Sequence, residues 1–307
     1  MKQITLPRTG MKAPALVVGC MRIDQMSVDQ VKQHIVFCLD NGLNFFDHAD
    51  IYGRGICEEK FGTAVKQLGI KREDYLMQSK CSIIPGVMYD LSKEHILTSV
   101  DAILKRLGCE YLDFLLLHRP DALVEPEEVA AAFDQLHQSG KVRHFGVSNH
   151  KPMQIELLKR YVKQPLEIDQ MQLSLPVSNM IANGMEVNMT TDGAIDRDGS
   201  ILDYCRVNDI VLQAWSPFQY GFFEGPFIGN TEKFPELNLA LEKLAKQYGI
   251  TPTGVAIAWM MRHPAGMQTI IGSTNQKRIL EMLAGSRIEL TRQEWYDLYL
   301  KAGHPLP

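Results

Sequence analysis

The chain has 307 residues, 45% of them hydrophobic and 22% charged, and its formal net charge is −4. This composition is typical of a globular protein, and the negative balance argues against a nucleic-acid surface, which needs clustered excess lysine and arginine. We find neither an apolar run long enough to span a membrane nor the apolar core of a signal peptide. Because the six cysteines show no C-x-x-C spacing, we predict no metal site, no disulfides and a cytoplasmic location.

In chain order, residues 4–18 predict two short strands around a turn at residues 8–12. Short apolar runs then alternate with amphipathic stretches. The predicted strands lie at residues 16–20, 43–47, 75–80, 111–118, 142–147, 166–170, 210–214 and 268–271. The predicted helices lie at residues 27–41, 58–68, 92–107, 125–140, 152–161, 201–207, 235–248, 251–262, 276–283 and 291–301, and long loops cover residues 171–199 and 215–234.

This regular alternation predicts a parallel sheet with right-handed crossovers. At this length, eight such units predict a (β/α)8 TIM barrel that forms a single domain over residues 1–307. A doubly wound sheet is the alternative fold, but no G-x-G-x-x-G motif follows an early strand.

Four ionisable residues lie at or just past the ends of predicted strands. Asp47 and Tyr52 follow the second barrel strand, Lys80 ends the third, and His118 ends the fourth. In a parallel barrel such positions share one face, and neighbouring strands lie about 5 Å apart. We therefore expect the four side chains to converge.

The chemistry of these residue types predicts proton transfer. A tyrosine has an ordinary pKa near 10, and a neighbouring ammonium lowers it. Tyr52 is therefore the candidate general acid, Lys80 the group that tunes its pKa, Asp47 the group that orients Lys80, and His118 a hydrogen-bond donor to a substrate oxygen. A Schiff-base aldolase that uses Lys80 is a competing hypothesis.

The sequence resembles the aldo-keto reductases over nearly its whole length. The stretches that carry the resemblance are residues 42–62, 115–118, 142–149 and 270–281. It implies NADPH-dependent reduction of aldehydes or ketones on a (β/α)8 barrel whose base is covered by an N-terminal β-hairpin. It also implies that Asp47, Tyr52, Lys80 and His118 are the catalytic tetrad, with Tyr52 protonating the carbonyl oxygen.

The resemblance also implies the cofactor site for NADPH or NADP. Ser148, Asn149 and Gln170 match the positions that hold the nicotinamide carboxamide, and Trp215 the position that stacks on the ring. The positions that match the family's contacts to the pyrophosphate and the adenosine phosphate are Ser216, Phe218, Gly272, Ser273, Thr274, Arg278 and Glu281. We expect Arg278 to be the main contact that selects NADPH over NADH.

Several residues depart from the family pattern, among them His48, His150, Gly272 and Met282. None belongs to the tetrad. Some relatives bind NADP(H) as regulatory subunits, so a non-catalytic subunit is a second hypothesis. We expect the partner to be a small carbonyl compound, with no nucleic acid or membrane partner and with a monomer or weak oligomer as the assembly. Met21 and Tyr89 are candidates for an apolar substrate wall.

Overall fold

The computed structural model describes residues 2–222 and 224–304. Eight parallel strands close into a barrel, which confirms the predicted fold. The strands in chain order are β1 (Gln3–Thr5), β2 (Lys12–Pro14), β3 (Leu16–Gly19), β4 (Phe45–Asp47), β5 (Leu76–Cys81), β6 (Ile83–Ile84), β7 (Met88–Tyr89), β8 (Leu112–Leu117), β9 (Val142–Ser148), β10 (Leu166–Gln172), β11 (Val211–Trp215) and β12 (Gln268–Ile271). The barrel order is β3-β4-β5-β8-β9-β10-β11-β12, with β12 pairing back to β3.

Helices surround the barrel. They are α1 (Val28–Asp40), α2 (Ile56–Leu68), α3 (Lys93–Leu107), α4 (Pro126–Gln138), α5 (Pro152–Lys159), α6 (Asn179–Ala182), α7 (Ile201–Val207), α8 (Pro235–Tyr248), α9 (Pro252–Arg262), α10 (Gln276–Gly285) and α11 (Arg292–Lys301). Their ends follow the local sequence. Ser27 forms a capping box with Gln30 at the start of α1, and Gly108 ends α3 in the left-handed conformation that glycine adopts without steric cost.

The apolar core has two parts. A large cluster fills the space between the barrel strands and the helices. A smaller cluster, which includes Phe45, Phe114 and Leu116, fills the lower interior of the barrel. Leu6 and Ala13, which flank the turn of the β1–β2 hairpin, belong to this second cluster. The hairpin therefore closes the base, as predicted, and the polar interior lies nearer the C-terminal ends of the strands.

Two segments for which no strand or helix was predicted contain regular structure. The segment after β5 forms a short antiparallel hairpin, β6–β7, and the segment after β10 contains the single-turn helix α6. Neither element has the length or clear periodicity that identifies a strand or helix from sequence. No helix within the described ranges is long and apolar enough to cross a lipid bilayer.

Candidate active site

Asp47, Tyr52, Lys80 and His118 lie together at the C-terminal end of the barrel. Lys80 Nζ donates a hydrogen bond to the Tyr52 hydroxyl oxygen at 3.1 Å and lies 2.8 Å from the Asp47 carboxylate. The rings of Tyr52 and His118 are nearly perpendicular, with centroids 6.2 Å apart. Because the ammonium can only donate, the Tyr52 hydroxyl keeps its own proton available for another acceptor.

A tight turn fixes the position of Tyr52. Gly53, Arg54 and Gly55 have φ values of 56°, 56° and 91°, a run in which glycine avoids the steric cost of the left-handed region. A Cβ atom on Gly55 would lie 2.8 Å from the Arg106 side chain. Residues 53–55 therefore form the turn that joins Tyr52 to α2, which begins at Ile56.

Lys80 is completely buried, and the three groups that accept hydrogen bonds from its ammonium are Asp47, Tyr52 and the backbone carbonyl of His48. Burial by itself lowers the pKa of Lys80, but the Asp47 carboxylate and the Tyr52 hydroxyl outweigh it and raise that pKa above its ordinary value. Lys80 therefore stays charged, and its three N–H donors are all bonded to protein acceptors.

The expected lowering of the Tyr52 pKa is corrected by the structure. Burial raises this pKa above 10, and the opposing effect of Lys80 only partly offsets it. The phenol therefore carries its proton throughout the neutral range in the ligand-free site. Lys80 still favours the phenolate relative to a site without an ammonium, so it lowers the energy of the state that follows proton donation.

His118 is neutral at physiological pH. Burial lowers its pKa well below 6.5, and the charges of Lys80 and Arg119 add to the shift. A neutral imidazole has one N–H donor and does not compete with Tyr52 as a strong acid. His118 is thus suited to donate a hydrogen bond to a substrate oxygen.

The tetrad opens into a cavity of about 660 Å³, which we call the C-terminal cavity. Most of the site residues predicted from the sequence line it: Asp47, Tyr52, His118, Ser148, Asn149, Gln170, Trp215, Ser216, Phe218, Gly272, Ser273 and Arg278. Thr274 and Glu281 are not among the lining residues, and Lys80 lies buried behind Tyr52. Met21 and Tyr89 contribute to the wall, in the places expected for substrate contacts.

The polar residues predicted to bind the nicotinamide form one hydrogen-bonded group. Ser148 Oγ donates to the backbone carbonyl of Gln170 at 2.8 Å and accepts from Asn149 Nδ2 at 2.9 Å. Trp215 Nε1 donates to Asn149 Oδ1 at 3.2 Å. Asn149 has a φ of 57°, a left-handed conformation that asparagine tolerates better than most residues. The Ser148 and Asn149 side chains at the end of β9 and the indole at the end of β11 are thus held together across β10.

The opposite end of the cavity is formed by the segment between β12 and α10. Gly272 and Arg278 are exposed there. The side chain of Asn275 caps α10 by accepting from the Arg278 backbone N–H at 3.2 Å. Within the described residues, the Arg278 guanidinium has neither a hydrogen bond nor an ion pair. Backbone N–H groups at a helix start and a free guanidinium form a suitable environment for a phosphate.

Sequence reasoning missed two groups of residues. Arg22 and Arg119 add positive charge to the wall of the cavity. Gln78 and Gln213 form a buried hydrogen-bond network behind Asp47 and Gln170. The sequence does indicate that both glutamines point into the barrel. Gln78 lies two residues before Lys80 and Gln213 two residues before Trp215, and residues two apart on a strand share one face.

Comparisons with known proteins agree with this architecture. The model of the aldo/keto reductase family matches residues 15–299. The chain is 36% identical to the uncharacterized oxidoreductase YcsN of Bacillus subtilis, over 89% of this chain and 88% of the relative. It is 33% identical to a 6-dehydroglucose reductase of Agrobacterium fabrum, over 94% of this chain and 93% of that relative. Two relatives at 29% identity, from Schizosaccharomyces pombe and Arabidopsis thaliana, are named as a putative and a probable voltage-gated potassium channel subunit beta.

Among solved structures, the thermostable aldo-keto reductase Tm1743, crystallised with the inhibitor epalrestat, has a TM-score of 0.76 and 26% identity. The match covers 98% of this chain and 100% of that one. The sequence, the closed barrel and the convergence of side chains at its C-terminal end lead to the same assignment. The chain therefore belongs to the aldo/keto reductase family.

Proposed function

We propose that this protein is an NADPH-dependent reductase of aldehydes or ketones in which Tyr52 is the general acid. One observation carries the proposal: the protonated Tyr52 hydroxyl lines the C-terminal cavity and lies 3.1 Å from a buried ammonium. That ammonium is itself paired with Asp47 at 2.8 Å. Such a site can release a proton to a developing alkoxide and stabilise the phenolate that remains.

The residues present fit a nicotinamide cofactor. Ser148, Asn149 and Gln170 provide amide and hydroxyl groups of the kind that recognise a carboxamide, and Trp215 provides an aromatic face beside them. At the far end, Ser273 and Arg278 provide a hydroxyl and a guanidinium for a phosphate. When bound, the reduced nicotinamide supplies a hydride to the carbonyl carbon.

The side chains supply the remaining chemistry. The neutral His118 ring donates a hydrogen bond to the carbonyl oxygen and orients it towards Tyr52. The proton moves from the Tyr52 hydroxyl oxygen to the carbonyl oxygen, and the phenolate that results is stabilised by the ammonium of Lys80. Asp47 keeps that ammonium in place and charged. Catalysis on this reading comes from positioned donors and from electrostatic stabilisation.

The substrate end of the cavity suits a polar carbonyl compound. Arg22 and Arg119 line it together with Met21 and Tyr89. Neither guanidinium has a carboxylate partner among the described residues. The name of the Agrobacterium relative specifies a sugar derivative as its substrate. We therefore include hydroxylated and acidic carbonyl compounds in the substrate class to be tested.

The Schiff-base hypothesis does not fit the site. An aldolase lysine must reach the substrate and lose its proton before it attacks. Lys80 is completely buried, and its pKa is raised by Asp47 and Tyr52 despite the opposing effect of burial. The regulatory-subunit hypothesis is favoured by the names of the more distant relatives, and the presence of all four tetrad residues weighs against it.

The test is a panel of aldehydes, ketones, keto sugars and keto acids, assayed by the loss of NADPH absorbance. We expect turnover of at least one simple aldehyde and faster turnover of the preferred polar class. Tight NADPH binding with no turnover of any carbonyl compound would favour a regulatory subunit. Absence of NADPH binding in calorimetry would refute the proposal itself.

A further inference from the structure

A row of buried glutamines crosses the interior of the barrel. Gln170, Gln213 and Gln268 occupy paired positions on the adjacent strands β10, β11 and β12. Gln78 lies across the interior on β5 and is paired in register with Asp47 of β4. All four glutamines are buried. Four amides in a barrel core are costly unless each is hydrogen-bonded.

The row has acceptors at both of its ends. Gln268 Nε2 donates to the Pro14 backbone carbonyl at 2.7 Å, and Gln78 Nε2 donates to Asp47 Oδ1 at 2.6 Å. A carbonyl and an ionised carboxylate can only accept. Each end amide must therefore direct one N–H at its outer acceptor. For Gln268 this leaves the amide oxygen facing Gln213, whereas Gln78 Nε2 uses its second N–H on Gln213.

Gln213 is the central member, and its amide is fully used. Its Oε1 accepts from Gln78 Nε2 at 2.8 Å and from Gln170 Nε2 at 3.0 Å. Its Nε2 donates to Gln268 Oε1 at 2.9 Å and to Gln78 Oε1 at 3.2 Å. A glutamine amide has two donors and about two acceptor positions, so Gln213 has no remaining capacity and a single favourable orientation.

The orientation of the Gln213 amide determines which atom of the Gln170 amide faces it. Its Nε2 donates both protons inward, to Gln213 Oε1 at 3.0 Å and to Asp47 Oδ1 at 3.2 Å. Gln170 Oε1 accepts no hydrogen bond from the described residues, and Gln170 lines the C-terminal cavity. The amide is thus turned so that it presents an acceptor to a ligand and withholds its donors.

We infer that Gln213 is a positioning residue that fixes the amide orientation of Gln170, so that Gln170 recognises the NH₂ group of the nicotinamide carboxamide as an acceptor. The inference rests on the proposed cofactor. Gln213 does not line the cavity and acts only through Gln170 and Gln78. Without it, only the longer hydrogen bond to Asp47 Oδ1, at 3.2 Å, still favours this orientation of the Gln170 amide, so rotation that presents the NH₂ group to the cavity costs less.

The test compares NADP⁺ with its 3-acetylpyridine analogue, in which a methyl ketone replaces the carboxamide and no N–H donor remains. Dissociation constants for both are measured by titration calorimetry, without turnover. In the wild type, loss of one neutral hydrogen bond should weaken the analogue by roughly two- to tenfold. In Gln213→Met the ratio of the two dissociation constants should fall towards one, because the rotated amide can donate to the ketone oxygen.

Matched variants separate positioning from stability. Gln268→Met removes an amide of the same row, but Gln213 keeps Gln78 Oε1 as an acceptor, so the wild-type ratio should persist. Gln213→Glu keeps an acceptor oxygen for Gln170 and should also retain the ratio. Gln213→Leu, which likewise removes that acceptor, replaces the methionine variant if the latter does not fold. Parallel weakening of both ligands in Gln213→Met, or a fall in the ratio for Gln213→Glu, would overturn the inference. A wild type that binds neither ligand would instead refute the proposed cofactor.

Discussion

The two ends of the C-terminal cavity differ in how complete they are without a ligand. At the tetrad end, Lys80 and Asp47 are buried and mutually paired, and Tyr52 is held by a turn and a hydrogen bond. The other end, formed by the segment between β12 and α10, is the proposed site for a phosphate, and we call it the phosphate end. Gly272 and Arg278 are exposed there, and the guanidinium has no carboxylate partner among the described residues. The groups proposed to transfer the proton are thus built into the core, whereas the groups proposed to bind the phosphate are left to be completed by a ligand. Perturbing the first end should change chemistry, and perturbing the second should change affinity.

The largest effect is expected from Tyr52→Phe. This change removes one hydroxyl and little volume, so carbonyl reduction should fall by ~10²–10⁴-fold, the usual contribution of a general acid. Calorimetry should show that NADPH still binds, because the phosphate end is untouched. Tyr161→Phe, at a surface position, is the control. Near-normal turnover by Tyr52→Phe would exclude Tyr52 as the acid.

Lys80→Met tests the electrostatic part of the same end. Burial raises the Tyr52 pKa and Lys80 opposes the increase, so loss of the ammonium should raise that pKa further. In the direction of alcohol oxidation, where the phenolate is the base, the rising limb of the pH–rate profile should move to higher pH. Lys66→Met, which changes an exposed lysine of α2, should leave the profile unchanged. A profile for Lys80→Met that matches the wild type would show that Lys80 does not tune Tyr52.

Arg278→Ala probes the phosphate end. Loss of a charged hydrogen bond costs ~1.5–3 kcal/mol, or roughly ten- to over a hundredfold in affinity. We expect that loss for NADPH and almost none for NADH, with kcat for a saturating substrate retained. Lys277→Ala changes the neighbouring exposed cation, which does not line the cavity, and serves as the control. Equal losses for both cofactors would mean that Arg278 has only a structural role.

The smallest effect concerns a second buried carboxyl group. Asp47 has Lys80 as its counter-ion, whereas burial raises the pKa of Asp169 to about 8, and the nearby backbone N–H groups of His150 and Asn149 only partly offset this. A folded-state pKa above the unfolded value of 3.8 means that the unfolded chain loses this proton first. Stability should therefore fall as pH rises from about 4 to about 8.

Asp169→Asn removes this titration and should unfold at a higher temperature than the wild type at pH 8, by roughly 2–4 °C for each kcal/mol gained. At pH 4 the two proteins should be nearly equal. Thermal unfolding followed by circular dichroism at both pH values is sufficient. A difference of the same size at both would assign the effect to packing and not to charge.

Features that depend on the residue pattern could be predicted from the sequence, whereas features that depend on burial could not. The barrel followed from the alternation of apolar runs and amphipathic stretches, and the tetrad followed from the end positions of Asp47, Lys80 and His118. The sign of the Tyr52 pKa shift did not follow, because it depends on burial, which no residue pattern specifies. The β6–β7 hairpin was also missed, since its strands are two residues each and have no periodicity to detect.

The glutamine row shows a different limit. The inward positions of Gln78 and Gln213 follow from strand parity, but which amide atom faces which neighbour depends on register across β10, β11 and β12. The local sequence pattern does not specify the pairing register of strands that are far apart in the chain. Thr274 and Glu281 show the same limit at the phosphate end. Their places in the motif are clear, yet neither lines the C-terminal cavity.

The placement of the three tryptophans gives the protein an internal optical probe. Trp259 and Trp295 are stacked at 4.9 Å in the core, and each indole N–H donates to the backbone carbonyl of the other. Trp215 alone lines the C-terminal cavity, with its N–H on Asn149. A ligand that enters the cavity should therefore quench one emitting indole and leave the core pair as a constant background. Emission spectra of the unmodified chain would then report occupancy of the part of the cavity beside Trp215 without any attached label.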